Sequence, residues 1–306
     1  MRIAIMGQAA FGARVLETLA DRGEEVIAAW LPHGKAGAKP DPMKVAADSR
    51  RIPAYQPETY RRPEALREFQ RLTPDLLIMA FVTDIIPQVF IETPVRGSIC
   101  YHPSLLPRHR GGSAINWALI MGDKETGLSI FWTGAGIDTG PLLLQKRVPI
   151  DPEDTTGSLY FNRLFPLGIE AIAESVDLIK TGRAPRRVQD ESLATYEPLC
   201  NDQVARIDWN RPAEEVHNLI RGCDPQPGAY TFFQGKKVRF FDARRGDAVS
   251  SSRPGEVIGA DAAGFTVAAD GGTIRIGKVR TDAGKQDAAA FAAQAGLKSV
   301  DSFKKD

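Results

Sequence analysis

We expect the chain to be an α/β protein in which a mostly parallel, Rossmann-like sheet is followed by a small all-β domain. Across residues 1–182, apolar runs typical of strands alternate with apolar residues at helical spacing, as a parallel sheet with crossover helices requires. Residues 183–203 are polar and lack periodicity, which predicts a linker. Residues 204–306 contain five short β-like runs, which predict a small barrel or sandwich.

The first domain opens with a strand at 2–6, after which Gly7 and Gly12 flank a turn into a helix. Further strands are predicted where apolar runs lie between turn residues, and helices where apolar residues recur every three or four positions. The strands are 25–30, 75–79, 97–101 and 128–132, and the helices are 62–72, 113–121 and 155–180. In the last helix the predicted core positions are Leu159, Phe161, Leu164, Ile169, Ile172 and Ile179, and Pro166 is expected to introduce a kink.

The second domain is expected to begin with one helix over 212–221. Its β-like runs are residues 230–233, 237–242, 255–258, 264–268 and 273–279. An alanine-rich helix over 286–296 follows, and we expect the last ten residues to fray.

Composition is that of an ordinary globular enzyme, with 43% hydrophobic and 25% charged residues. The net charge of +1 argues against a protein that binds nucleic acid through an overall positive charge. Cys100, Cys200 and Cys223 provide neither an even disulfide framework nor a metal-binding CxxC spacing, which suits a reducing cytoplasm. Because Met1 leads directly into a strand, we expect no signal peptide and no membrane span.

A histidine and an aspartate follow two consecutive predicted strands. His102 comes directly after the run 97–101, and Asp138 lies in a glycine-rich turn after the run 128–132. Open α/β sheets bind ligands at their strand ends, so these two side chains can meet across one crevice. Either residue alone is as readily explained by a structural role, but together they favour an acid/base site.

The run from His102 to Gly111 (HPSLLPRHRG), together with Gly136 to Gly140 (GIDTG), resembles the signature of the folate-dependent formyltransferases. Further similar segments extend over nearly the whole chain, among them Gly7–Gly12, Ser113–Trp117, Leu142–Gln145 and His217–Gly222. Within that family the chain resembles chiefly the N-terminal hydrolase portion of 10-formyltetrahydrofolate dehydrogenase, and next methionyl-tRNA formyltransferase. The resemblance implies the formyltransferase fold, an OB-like C-terminal domain and 10-formyltetrahydrofolate as cosubstrate.

In formyl transfer, attack on the formyl carbon produces a tetrahedral intermediate with a negatively charged oxygen, which must be stabilised. The acceptor must also lose a proton, and the departing folate nitrogen must gain one. By resemblance, His102 and Asp138 perform these tasks, two segments hold the pterin ring, and the loop 104–107 shapes the formyl end of the pocket. A loop packed for stability would also explain the leucines of 104–107. The implied substrate-binding residues are Phe81, Val82, Thr83, Asp84, Ser104, Leu105, Leu106, Pro107, Gly134, Ala135, Gly136 and Ile137.

Cys100 departs from the family pattern, in which transferases carry asparagine and the dehydrogenase-type hydrolases isoleucine two positions before the histidine. Because alternate residues of a strand share a face, we expect the Cys100 thiol to lie beside His102, and we include it among the candidate catalytic residues. Two interpretations remain open: a thiol nucleophile, which would need a lowered pKa, and an uncharged residue that lines the pocket, which we favour.

The predicted acceptor is water or a small amine, with charged initiator tRNA as a disfavoured alternative. In tRNA-acting relatives the loop after the second strand is long and basic, whereas residues 31–42 carry only Lys35 and Lys39. Residues 201–306 hold 16 Lys and Arg against 14 Asp and Glu, a modest excess for a phosphate binder. The pairs Lys236-Lys237 and Arg244-Arg245 are interpreted as solvated turn charges in preference to an RNA-facing patch.

Other cofactors and functions are disfavoured. The segment Gly7–Gly12 lacks the full GxGxxG pattern, and no acidic residue follows the second strand, which argues against a dinucleotide. The four histidines show no metal-ligand spacing, so we expect no metal. A folate-binding module without turnover is disfavoured because His102 and Asp138 are both present. With 306 residues, we expect no carrier or aldehyde dehydrogenase domain.

Overall fold

A computed structural model describes residues 1–34, 37–247, 252–299 and 301–303. The chain divides into two packing units, each assembled from separate segments. Unit 1 comprises residues 1–112, 127–148 and 162–196, and unit 2 comprises residues 113–126, 149–161 and 197–306. Two segments within the predicted first domain, 113–126 and 149–161, therefore group with the C-terminal part of the chain.

The strands are β1 (Arg2–Gly7), β2 (Glu25–Trp30), β3 (Ala54–Tyr55), β4 (Leu76–Ala80), β5 (Ser98–His102), β6 (Glu125–Trp132), β7 (Leu142–Pro149), β8 (Ala229–Phe233), β9 (Lys236–Gly246), β10 (Val257–Asp261), β11 (Gly264–Ala269), β12 (Gly272–Thr281) and β13 (Gly284–Asp287). The helices are α1 (Ala9–Asp21), α2 (Pro42–Ser49), α3 (Pro63–Arg71), α4 (Gln88–Glu92), α5 (Ala114–Ile120), α6 (Thr156–Leu159), α7 (Phe165–Lys180), α8 (Ala213–Gly222) and α9 (Ala288–Ala295). The elements β3, β7, β13, α2 and α4 are additional to those predicted.

Unit 1 is built on a seven-stranded sheet in the order β3-β2-β1-β4-β5-β6-β7. The pairs β1–β2, β2–β3, β1–β4 and β4–β5 are parallel, which confirms the predicted Rossmann-like sheet. Apolar side chains of these strands are buried on both faces, because separate core clusters cover the two sides of the sheet. The strand order reverses direction between β1 and β4, the point at which open α/β sheets leave a crevice outside the carboxyl ends of the strands.

Strand β6 was expected to run parallel to β5, since a helix separates the two in sequence, but it does not. Strand β6 pairs with β5 in the antiparallel sense, with Ile99 opposite Trp132 and His102 opposite Ser129. The carboxyl end of β6 therefore lies beside the start of β5 and not beside His102. This register matters for the site, because Asp138 follows β6.

The predicted helix over 155–180 is interrupted by a π-helical turn at Tyr160–Leu164. Pro166 lies in the first turn of α7, directly after the π-helical turn, and the kink expected there stays a prediction. Leu159, Leu164, Ile172 and Ile179 are buried as predicted, and Ile169 is half-buried. Phe161 was expected in the core but is 63% exposed, because the wider π turn shifts the helical phase at this position.

Unit 2 contains a six-stranded antiparallel sheet in the order β10-β11-β12-β9-β8, with β13 paired to β12. Each of the five predicted β-like runs lies within or overlaps one of these strands. Helices α8 and α9 supply apolar residues to the same core, in which Phe240, Phe265 and Phe303 are in ring contact. The expectation that the last ten residues fray is wrong for Phe303, which is 2% exposed and whose amide donates to the Gly255 carbonyl.

Candidate active site

His102 is the last residue of β5 and is almost completely buried. Its Nε2 atom lies 2.7 Å from the carbonyl oxygen of His109. A carbonyl oxygen can only accept a hydrogen bond, so Nε2 must carry the hydrogen that is shared between them. The other ring nitrogen, Nδ1, is then the atom of His102 that remains for chemistry.

Asp138 occupies the loop 133–141, which connects β6 to β7. Because β6 is antiparallel, this loop begins at the far end of β5 and must return along the sheet to reach His102. It does so: Asp138 Oδ2 lies 3.5 Å from His102 Nδ1 and accepts a 2.8 Å hydrogen bond from the Gly111 amide. The two residues are therefore neighbours, although the reason differs from the shared strand edge that the sequence suggested.

The imidazole of His102 is flanked by acceptors at both nitrogens. The contact at Nε2 is a short hydrogen bond, whereas the 3.5 Å separation at Nδ1 is longer than a good hydrogen bond. Only the imidazolium form can offer a hydrogen to both partners at once. The arrangement can hold a positive charge next to a bound carbonyl and exchange a proton between Nδ1 and the carboxylate.

Cys100 stands two residues before His102 on β5 and packs, half-buried, against the apolar cluster that includes Met79. Its thiol donates weakly to the carbonyl oxygen of Tyr101, at 3.5 Å. Burial, with a further contribution from the negative charge of Asp138, raises the pKa of the Cys100 thiol well above its ordinary value. A thiol with a raised pKa is protonated near neutral pH and is a poor nucleophile.

The loop 104–107 is anchored inside unit 1. Ser104, Leu106 and Pro107 are buried, and Leu105 is half-buried. The hydroxyl of Ser129 donates to the Ser104 carbonyl at 2.7 Å and accepts from the Leu106 amide at 3.1 Å. These residues can shape a pocket wall through their backbone path, whereas their buried side chains present little surface to a ligand.

The other two predicted segments lie at the surface. Phe81, Thr83 and Asp84 follow β4, the parallel neighbour of β5, and are exposed, with Val82 half-buried. The Gln8 amide, directly after β1, donates to the Thr83 hydroxyl at 3.1 Å. This bond links the carboxyl ends of β1 and β4, the two strands between which the strand order reverses. In the loop before Asp138, Gly134 is half-buried, and Ala135, Gly136 and Ile137 are exposed.

Two residues near this site were not predicted from the sequence. Arg110 is 1% exposed and Gln189 is 4% exposed, and each makes several hydrogen bonds close to His102 and Asp138. Arg110 lies inside the motif His102–Gly111, so the motif itself marks it as a candidate site residue. Gln189 falls in the predicted linker, where neither periodicity nor spacing marks it.

Other features of the described chain lie away from this pair. A cavity of about 540 Å³ is lined by Trp30, Tyr55 and α3, at the β3 edge of the sheet, with the strands β2, β1 and β4 between β3 and β5. Within the residues that the structure describes, no cluster of three or more His, Cys, Asp and Glu side chains is arranged to hold a metal ion. No helix in the described part of the chain is long and apolar enough to cross a membrane.

Comparison with known proteins gives matches over most of the chain. Residues 1–175 match the family model for formyl transferase, and residues 201–296 match the model for the formyl transferase C-terminal domain. Cytosolic 10-formyltetrahydrofolate dehydrogenase of Mus musculus is 45% identical over 248 residues, which cover 79% of this chain and 27% of that protein. Methionyl-tRNA formyltransferase of Geotalea uraniireducens is 38% identical over 291 residues, which cover 94% of this chain and 92% of the relative.

A solved structure shares the fold at lower identity. HypX from Aquifex aeolicus, crystallised in complex with tetrahydrofolic acid, aligns with a TM-score of 0.71 and 20% identity over 100% of this chain and 51% of its own. The chain spans less than a third of the dehydrogenases that it matches, and nearly the full length of the methionyl-tRNA formyltransferases. The two family models and these relatives show that the chain belongs to the formyl transferase family.

Proposed function

We propose that this protein removes the formyl group of 10-formyltetrahydrofolate, delivers it to water or a small amine, and releases tetrahydrofolate. The observation that carries the proposal is the contact between His102 and Asp138, at 3.5 Å, in a chain of the formyl transferase family. The pair supplies a cation and a base at the carboxyl end of β5, where open α/β sheets bind their ligands.

In the proposed mechanism, Asp138 accepts a proton from the acceptor as its oxygen or nitrogen attacks the formyl carbon. His102, as the imidazolium, stabilises the negative charge that develops on the former carbonyl oxygen. When the carbon–nitrogen bond breaks, Nδ1 of His102 gives its proton to the folate nitrogen. Asp138 then returns its proton to Nδ1 across the 3.5 Å contact, so both residues regain their starting states.

The surface around this pair suits a flat, partly apolar substrate. Phe81 and Ile137 belong to the two segments proposed to hold the pterin ring, and they are 44% and 64% exposed. Phe81 also has a positive φ of 62°, an uncommon conformation for a bulky residue and one that clusters at functional sites. Cys100 would contribute an uncharged wall beside the formyl group, because its raised pKa disfavours a covalent role.

Water or a small amine is preferred as the acceptor because three of the four cations in the predicted basic pairs have a carboxylate partner within unit 2, while Lys236 is exposed. Lys237 pairs with Asp202 at 3.0 Å, and Arg245 pairs with Glu214 at 3.3 Å. Arg244 pairs with Glu153. Cations that already have carboxylate partners contribute less to a phosphate-binding surface. Of the two lysines in the loop 31–42, Lys39 is exposed and Lys35 lies outside the described residues. A cytoplasmic location is part of this proposal and is supported by the three free cysteines.

Transfer to charged initiator tRNA is the second candidate. It is favoured by the 38% identity over 92% of a methionyl-tRNA formyltransferase. The two candidates predict different products from the same donor.

The deciding experiment supplies labelled 10-formyltetrahydrofolate to the purified protein with and without charged initiator tRNA. We expect tetrahydrofolate and labelled formate without tRNA, or a labelled formamide when a small amine is added. Rapid formation of formyl-methionyl-tRNA, with negligible turnover in its absence, would establish the second candidate instead. Absence of donor cleavage under all three conditions would reject the proposed function.

A further inference from the structure

Residues 187–196, here called the strap, lie between the two regions that match the formyl transferase models, which end at 175 and begin at 201. In unit 1 the strap is tied both to the loop that carries Asp138 and to the loop that follows His102. Arg187 exchanges two backbone hydrogen bonds with Leu142, at the end of the loop 133–141. At its other end, Thr195 bonds through its backbone to Pro107 and Arg110, in the loop that follows His102.

Gln189 is the central side chain of the strap. Its Nε2 donates to the backbone carbonyls of Asp138, at 2.8 Å, and of Gly140, at 2.7 Å. Its Oε1 accepts from Arg110 Nη2 at 2.8 Å. Both amide hydrogens and the amide oxygen are therefore used, in a buried position where a lost hydrogen bond is expensive. Only a side chain with two donors and one acceptor can satisfy this set of partners.

Arg110 continues the connection from Gln189 toward His102. Its buried guanidinium forms bidentate hydrogen bonds with Glu191, at 2.7 and 2.8 Å, and donates to the Tyr196 hydroxyl at 2.7 Å. A buried guanidinium needs such partners to offset its desolvation. Because Arg110 is held by three strap side chains, its backbone and that of its neighbour His109 are fixed in place.

His109 is the residue whose carbonyl oxygen accepts from His102 Nε2. Its own amide donates to the Thr195 hydroxyl at 2.8 Å, and its φ of 55° is left-handed, which requires support from the surroundings. Asp138 has the same φ of 55°, and its backbone carbonyl is held by Gln189. The strap thus supports two unfavourable backbone conformations, one on each side of the His102 ring.

We propose that Gln189, together with Arg110, is a positioning residue for formyl transfer: it fixes the loop of Asp138 against the loop of His109, and so sets the distance between the Asp138 carboxylate and His102 Nδ1. The expected fall in kcat rests on the proposed function. The expected change in the surroundings of the His102 ring rests on the geometry alone. Neither residue touches the reacting atoms in the proposed mechanism. The region that sequence patterns assign to a linker is, on this view, part of the catalytic apparatus.

The test uses Gln189→Glu, which keeps an acceptor for Arg110 but turns a second acceptor toward the carbonyls of Asp138 and Gly140. Gln189→Asn is the second variant, since it keeps the amide and shortens its reach. Gln56→Ala is the matched control, because the Gln56 amide also donates to a loop carbonyl of unit 1, that of Pro32 at 3.1 Å. The measurements are kcat and KM for 10-formyltetrahydrofolate, the melting temperature, and the ¹⁵N signals of the His102 ring, assigned with His102→Asn.

We expect kcat to fall about 10- to 100-fold in both Gln189 variants, the loss typical of a displaced catalytic group. KM should change little, the His102 ring signals should shift, and Gln56→Ala should match the wild type in all three respects. Folded Gln189 variants with wild-type kcat and unshifted His102 signals would overturn the proposal, as would a loss confined to KM. If the wild-type protein does not cleave the donor, the proposed function fails. The His102 signals still decide the positioning role: a shift in the Gln189 variants supports it, and no shift rejects it.

Discussion

The carbonyl oxygen of His109 lies 2.7 Å from Nε2 of His102, so a backbone group of the signature loop determines which nitrogen of the neighbouring histidine keeps its hydrogen. The Nδ1 atom is consequently directed to Asp138 in every protonation state that preserves this bond. The proposed proton transfers therefore use one nitrogen only. Substitution of either side chain of the His102–Asp138 pair should remove the function of the other.

His102→Ala and Asp138→Ala should each lower the rate of tetrahydrofolate release by a factor on the order of 10² or more, because each removes one member of a cooperating acid/base pair. The double variant should be little worse than the single ones, since the two groups act together. Rates are measured by absorbance with saturating donor, and circular dichroism checks the fold. His33→Ala is the control, because His33 is an exposed histidine distant in sequence from both His102 and Asp138. Wild-type turnover by both single variants would contradict the assignment.

Cys100→Ala and Cys100→Ile should retain measurable donor cleavage, because the raised pKa of the thiol disfavours nucleophilic attack. Cys100→Asn should increase transfer to a small amine several-fold, since an amide N–H is a better donor to the oxyanion than a thiol. The assay compares the three variants with and without amine. A stable but inactive Cys100→Ala protein, combined with a formyl thioester detected in the wild type by mass spectrometry, would reverse this interpretation.

Sequence reasoning predicts most of unit 1 because its strands are continuous apolar runs that local composition identifies. It also selects His102 and Asp138, whose catalytic roles stay predictions. Predictions from the sequence are wrong where the direction of a strand or the exposure of a side chain depends on residues distant in the chain. The antiparallel direction of β6 is set by pairing with β5, and the exposure of Phe161 follows from a π turn that leaves no mark on residue spacing.

Gln189 illustrates the same limit more sharply. It lies 51 residues from Asp138 in sequence, in a polar segment without periodicity, and only the folded chain brings its amide to the Asp138 carbonyl. A buried polar residue of this kind is selected by a specific set of partners and not by a pattern. Arg110 lies within the motif His102–Gly111, but residue spacing does not identify Gln189, Glu191 and Tyr196 as its partners.

Cys200 and Cys223 should form a disulfide when the protein is incubated with oxidised glutathione. Their sulfur atoms are 3.6 Å apart within unit 2, and the hydrogen bond from Cys223 lowers the pKa of Cys200. The Cys200 thiolate attacks one glutathione sulfur and releases a first glutathione thiol. Cys223, on losing its proton, then displaces the second glutathione, so two protein thiols are oxidised as one glutathione disulfide is reduced.

The oxidised protein should have one titratable thiol in place of three and a mass lower by two hydrogens. Closing this loop should stabilise unit 2 by roughly 3 kcal/mol in the chain-entropy model, measured by urea unfolding. Cys223→Ser is the control and should stop at a mixed disulfide with glutathione. A wild-type protein that also stops at the mixed disulfide would show that the two sulfurs cannot be joined without distortion.

The stability of the protein should fall as the pH is lowered through the region where free histidine titrates, because of His217. Burial is the main cause that lowers the pKa of His217 below its ordinary value of 6.5, and the nearby Arg221 and Arg245 charges act in the same direction. The hydrogen bond of Nε2 to the Ala243 carbonyl, at 3.1 Å, and the charge of Glu214 oppose this shift without cancelling it. The folded state therefore binds fewer protons than the unfolded state in this range.

With the folded pKa below the unfolded one, the stabilisation is fully present above pH 6.5 and is lost as the pH falls through the lower folded value. Urea unfolding between pH 8 and pH 5 should thus show a free energy of unfolding that decreases with acidification. His217→Gln, which can still donate to the Ala243 carbonyl but does not titrate, should flatten this dependence. His33→Ala, which removes an exposed histidine, is measured in parallel as the control. An equal pH dependence in His217→Gln and wild type would assign the effect to other groups.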